Sequence, residues 1–215
     1  MLARVIIATC VLMISHPSFA LIDASVVAGQ KIVTLNDGDG DLGDLGGTSV
    51  TASVHVHPFK LIPIGLGLFM ASETTKGEDT DKTFDITTSG QAGGVELNAW
   101  APIPFVKPFL KAGYVLFGKS KMEIDLKTAF ETELGISKVT YDGAVKGYRV
   151  AVGFEWNPIP KLGIILQYQT VNEEQTFKKG KFELPDGTTT ETDLEEEFKP
   201  TFTGQIIGLG LGFRF

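Results

Sequence analysis

Cysteine is nearly missing from this chain. Of 215 residues only Cys10 is one, and it lies in an amino-terminal segment with the marks of a cleaved leader. The remainder of the chain can form no disulfide, no thiolate metal site and no cysteine nucleophile. Histidine is almost as scarce, with His55 and His57 the only two beyond that leader. Basic charge is short as well: 19 Lys and Arg face 26 Asp and Glu, a net charge of -7. Nucleic-acid binding relies on clustered cations, so no nucleic-acid partner is expected. Long apolar runs are lacking too, because Leu61 to Ala71 is the longest stretch beyond the leader and a spanning helix needs about 20 residues. If the chain enters a membrane, it must do so as a closed barrel. It also carries no Gly-x-Ser-x-Gly, no phosphate loop and no dinucleotide fingerprint, and no enzyme is expected.

What is present begins with residues 1–20. Arg4, the apolar stretch Val5 to Ile14, Pro17 and the small-residue pattern Ser18-Phe19-Ala20 predict a cleavable secretory signal. Its removal deletes Arg4 and no acid, taking the net charge from -7 to -8. Residues 21–215 are then one domain, of a size suited to a single all-β unit.

Within that domain, stretches of roughly ten residues alternate apolar and polar or small side chains, the pattern of strands that cross a membrane as a barrel. One face collects Val26 and Ala28, Val50 and Val54, Leu66 and Leu68, Val95 and Leu97, Leu110 and Leu116, Val150 and Phe154, and Ile164 and Leu166. The last strand puts Ile207, Leu209, Leu211, Phe213 and Phe215 on that face and Gly208, Gly210, Gly212 and Arg214 on the other. The pattern predicts an all-β, closed antiparallel up-and-down transmembrane β-barrel of eight strands, with ten as the alternative. Proline marks three short connections, around Pro58, Pro102 and Pro158, because it cannot donate to a strand ladder. The other connections read as long, polar and acidic: about Asn36 to Gly47, Thr74 to Gln91, Lys119 to Gly143 and Asn172 to Pro200. In the two longest, Met122, Ile124 and Leu126 alternate with charged residues, and Phe182 and Leu184 precede the turn Pro185-Asp186-Gly187, which predicts strands extending beyond the membrane as paired ribbons.

The opposite strand face predicts the lumen, with Glu96, Lys111, Arg149 and Glu155 as its principal charges. An eight-stranded barrel is just wide enough for side chains to fill. Buried charges of both signs must pair. Glu96 and Glu155 against Lys111 and Arg149 therefore read as a salt-bridged plug, with a gated polar pathway for ions as the sharper alternative. His55 and His57 are expected at the short-turn mouth of the lumen. Trp156, Tyr114, Tyr148, Tyr168, Phe105, Phe213 and Phe215 are candidates for the interfacial aromatic belts.

Taken together, the leader, the eight alternating strands, the Pro-marked turns, the polar loops and terminal Phe215 resemble the OmpA and OmpX type of small outer-membrane β-barrel. The resemblance implies residence in the bacterial outer-membrane bilayer. It also implies that Gly210, Phe213 and Phe215 form the signal read by the barrel-assembly machinery, although the polar residue expected two places before Gly210 is here Gly208.

The sharpest local motif is Asn36-Asp37-Gly38-Asp39-Gly40-Asp41-Leu42-Gly43-Asp44. Alternate carboxylates with glycine between them can curl around a hard cation, so Asp37, Asp39, Asp41 and Asp44 read either as a weak Ca²⁺ site or as a flexible acidic loop. The motif departs from the calcium-loop pattern at Leu42 and Thr48. No other cofactor is expected. The reading that results is a monomeric outer-membrane barrel with a plugged lumen, serving envelope integrity and surface interaction through acidic outer loops. The alternatives are a narrow passage for small ions or apolar molecules, as in OmpW-like barrels, and a soluble periplasmic ligand-binding barrel.

Overall fold

A computed structural model describes residues 21–37, 40–58, 63–101, 103, 105–127, 135–159 and 161–215. The expected leader, residues 1–20, lies outside them. Among the described residues every regular element is a strand: β1 (Leu21–Asn36), β2 (Asp41–His57), β3 (Ile64–Glu78), β4 (Phe84–Trp100), β5 (Val106–Leu126), β6 (Lys138–Ile159), β7 (Leu162–Glu183), β8 (Thr189–Phe198) and β9 (Thr201–Arg214). Each strand pairs antiparallel with its neighbour in sequence from β1 to β7; β9 then pairs with both β7 and β1, closing the ring. The two ends of the domain meet there, where Ile22 and Phe215 exchange backbone hydrogen bonds of 2.9 and 3.2 Å. Closure leaves no open edge within the membrane-spanning band, the condition a strand must meet in hydrocarbon.

The ring has eight members. β8 and β9 follow one path, interrupted at Lys199 and Pro200, where proline supplies no donor. β9 completes the ring, and β8 pairs only with the far end of β7, from Phe177↔Phe198 to Glu183↔Thr189. β8 is therefore the extension beyond the membrane expected of the charged Asn172 to Pro200 stretch, not a further member of the barrel.

Every outward face reproduces the expected alternation: Val26, Val54, Leu66, Leu97, Leu110, Val152, Leu166 and Leu209 are all exposed. So are Trp156, Tyr114, Tyr148, Tyr168, Phe105, Phe213 and Phe215. These large apolar surfaces cover the barrel all round, which only a hydrocarbon environment accommodates. The apolar face ends on one side at a ring of exposed polar residues: Gln30, Thr48, Ser72, Gln91, Lys119, Lys146, Thr170 and Gln205.

Beyond that ring the structure corrects the long loops expected at Asn36 to Gly47 and Thr74 to Gln91. The chain stays in strand, so the β1–β2 link is only residues 37–40 and the β3–β4 link only residues 79–83. A membrane crossing takes about 10 residues, whereas β6 and β7 have 22 each. Across the border the strand faces exchange chemistry. Inside the bilayer the apolar side chains point out; beyond it Val33, Leu35, Leu45, Ile86, Met122, Val171, Phe177, Phe202 and Ile206 point in and bury one another, with Tyr141, Leu194 and Phe198 against them. The outer section, an apolar cap above the lumen charges, is thus built like a soluble barrel, polar outside and apolar within.

Candidate functional site

The lumen places its charged side chains in two layers, separated by small residues and by Phe69. The upper layer lies just below the apolar cap. Lys31 of β1 pairs with Glu73 of β3, and its Nζ lies 3.4 Å from Glu173 of β7. Arg149 of β6 donates from Nε to Glu173 at 2.8 Å, pairs with the same oxygen through Nη2, and lies 2.9 Å from Glu73 through Nη1. Ser49 donates to Glu73 at 3.0 Å. Two cations and two carboxylates from four strands form a closed set, all of them largely removed from solvent. Neighbouring lone pairs also find donors: Ser120 bonds Gln175 at 2.5 Å, and Thr75 and Thr88 share a bond of 2.6 Å.

The lower layer lies near the short turns. Glu96 of β4 is bonded by His55 Nε2 at 2.7 Å and faces Lys111 Nζ at 3.6 Å. Lys111 also reaches Ser25 at 3.4 Å. Below it, Arg214 donates to Asp23 at 2.8 Å and to Glu155 at 3.4 Å, while Lys107 lies 3.9 Å from Glu155 and 4.7 Å from the Trp100 ring centroid. Trp100 donates its indole N–H to His57 Nδ1 at 3.4 Å. His57 Nε2 lies 3.1 Å from the Asp23 carboxylate. Three cations and three carboxylates are interleaved here.

Glycine makes room for these groups. A Cβ at Gly65 would stand 2.5 Å from the His57 ring, and one at Gly163 would collide with the Glu155 carboxylate. The space left over is small: a cavity of about 30 Å³ beside Lys107, Lys111 and Glu155, and one of about 20 Å³ beside Lys31, Glu73 and Arg149. Each is about the volume of one water molecule.

All four predicted lumen charges face inward, but they divide between the layers. Glu96 and Lys111 lie together in the lower one. Arg149 and Glu155, six residues apart on β6, belong to different layers and take other partners. The sequence reading overlooked Lys31, Glu73 and Glu173. Continued period-two alternation through Ser72 and Asn172 was the signal for the two glutamates.

The acidic motif of the first outer turn is arranged as turn and strand. Asp37 accepts the Gly40 N–H at 3.1 Å, and Asp44, exposed on β2, accepts the Thr34 hydroxyl at 2.6 Å. Asp41 opens β2 opposite Asn36, and Asp39 lies outside the described residues. Among the described residues no group of three or more His, Asp or Glu side chains is placed to hold a metal. Gly210, Phe213 and Phe215 lie on β9 and the chain end beside it, with Gly210 paired to Val27 and Phe213 to Ala24.

A closed eight-stranded ring with an apolar outer belt and a charged, side-chain-lined lumen is the fold of the bacterial outer-membrane β-barrels. A major outer membrane protein from Thermus thermophilus has a similar fold, with a TM-score of 0.55 at 14% identity over 90% of this chain and 99% of that one. Neisserial surface protein A matches with a TM-score of 0.47 at 13% identity, over 91% of this chain and 99% of its own. Ail, the attachment invasion locus protein of Yersinia pestis, matches with 0.46 at 14% identity, over 90% and 98%. No protein-family model matches the chain, and no curated protein is recognisably similar in sequence.

Proposed function

We propose that this outer-membrane barrel is a closed, non-enzymatic element of the envelope, which strengthens the membrane and presents its outer ribbons to the surroundings. The observation that carries this reading is the stack of three barriers across the lumen: the apolar cap, the Lys31–Glu73–Arg149–Glu173 set and the Asp23–Glu155–Arg214 set. The two lumen cavities lined by described residues are small, about 30 and 20 Å³, which supports a lumen without a continuous path for a hydrated ion. On strand β8, Glu191 and Asp193 pair with Lys179, Glu197 pairs with Lys178 and Lys199, and Glu196 is exposed, an excess of acid that favours cationic partners at the surface. The chain acts as a monomer in this reading, inserted by the barrel-assembly machinery through Gly210, Phe213 and Phe215.

Planar-bilayer conductance tests the proposal. The refolded chain is expected to show no discrete openings at neutral pH, and cells lacking it are expected to be more sensitive to detergent. Discrete openings that disappear when Arg149 or Glu155 is replaced would overturn the closed reading in favour of a narrow passage.

A further inference from the structure

The outer face of the barrel has one irregularity at the border where apolar gives way to polar. Val115 of β5 stands opposite Gly94 of β4 and Gly147 of β6, whereas Lys119 stands opposite Gln91 and Ala144. Between those points β5 holds one residue more than either neighbour, a bulge. Its consequence is that Leu116 and Phe117, adjacent in sequence, both face outward, with exposures of 51% and 61%. Gly93 opposes Phe117, and a Cβ there would lie 2.5 Å from the ring, so the ring occupies the space above it.

Beside that ring a groove of about 350 Å³ opens on the barrel exterior. Met70, Ala92, Phe117 and Gly118 line it, and Gln91 and Lys119 form its polar rim. Lys119 is exposed and has no ion-pair or hydrogen-bond partner among the described residues, while two positions along the strand Lys121 is held by Glu123. Lys146, exposed on β6 alongside the bulge, is likewise unpartnered among them. Unpaired cations are conspicuous in a chain of net charge -7.

We propose that this groove seats one phosphorylated lipid of the outer leaflet, with an acyl chain against Phe117 and Met70 and a phosphate on Lys119 and Lys146. The lower part of the groove lies at acyl depth, where an empty apolar hollow would be filled by hydrocarbon. The rim lies at headgroup depth, where phosphate is the strong anionic acceptor for an ammonium group. The continuity of the groove with the lipid-facing belt identifies a lipid, not a soluble anion, as its occupant.

Native mass spectrometry of the refolded, full-length barrel tests this. The probes are diphosphorylated lipid A, its dephosphorylated counterpart, phosphatidylethanolamine and free pyrophosphate. One lipid A is expected to be retained, with about fivefold weaker retention in each of Lys119→Gln and Lys146→Gln. Phe117→Ser is expected to weaken it further, and Lys76→Gln, an exposed lysine on β3 away from the groove, to leave it unchanged. Heat-shifted gel migration establishes that each variant is folded. Retention of the dephosphorylated lipid or of phosphatidylethanolamine equal to that of lipid A would overturn the proposal, as would displacement by free pyrophosphate at matching concentration. An unaltered Lys119→Gln variant, or a Lys76→Gln variant as impaired as Lys119→Gln, would also overturn it.

Discussion

Arg149 and Glu173 meet across adjacent strands, with Nε 2.8 Å from the carboxylate and Nη2 on the same oxygen. Because Nη1 of the same guanidinium lies 2.9 Å from Glu73 on the far wall, one side chain ties β6 to β7 and to β3 at once. Arg149→Met leaves two buried carboxylates sharing Lys31 alone. The expected loss is about 3–5 kcal/mol, measured by urea unfolding in lipid vesicles, with part of it recovered when Glu173→Gln is added. An unchanged unfolding midpoint for Arg149→Met would show that the pair contributes nothing.

The apolar cap should be energetically distinct from the membrane band. Phe202 is fully buried within it, so Phe202→Ala is expected to lose about 3–5 kcal/mol locally. Protease treatment of intact cells should then cut the outer ribbons of the variant while the heat-shifted gel band persists. Loss of that band would mean that cap and membrane band fold as one unit.

Asp79 at the β3–β4 tip accepts the backbone N–H of Thr83 at 2.6 Å and of Phe84 at 2.9 Å, and the Thr83 hydroxyl at 2.6 Å. Burial opposes its charge, but these donors hold its carboxyl below the usual carboxylate range. With the folded value depressed, the stabilisation is present above the unfolded value of about 3.9 and is lost as pH falls through the folded one. Hydrogen exchange at Thr83 and Phe84, taken relative to the intrinsic amide rate at the same pH, should therefore accelerate below about pH 4 in the native chain. In Asp79→Ala it should already be fast at neutral pH; equal protection in the two proteins would refute the assignment.

Three barriers in series predict an ordered effect on conductance. Arg214→Ser opens the lower layer only, and Phe202→Ala the cap only, so each alone should stay silent in planar bilayers. The triple variant with Arg149→Ala should conduct. Openings from either single change would show that the remaining barriers leak.

The lipid-facing belt was legible because hydrocarbon permits no exceptions: a polar residue at Leu66 or Leu209 would be exposed to it. The cap was not legible, since Val33, Leu45 and Phe202 sit on the face that bears polar or small residues one turn of alternation earlier. Charged flanks such as Lys76 and Glu174 read as loop, though they are the wet outer faces of continuing strands. Glu73 and Glu173 were hidden by the same boundary, and with them the partners of Arg149. Lumen pairing itself depends on stagger between strands, which period-two patterning does not encode.

The two charged layers of the lumen carry formal charges that cancel within each layer, taking the imidazoles as neutral. Moving one elementary charge through 100 mV is worth about 2.3 kcal/mol. A Donnan potential across the outer membrane therefore finds no net charge in either layer to displace, and the barrel should be indifferent to voltage and to the external ionic strength that sets it.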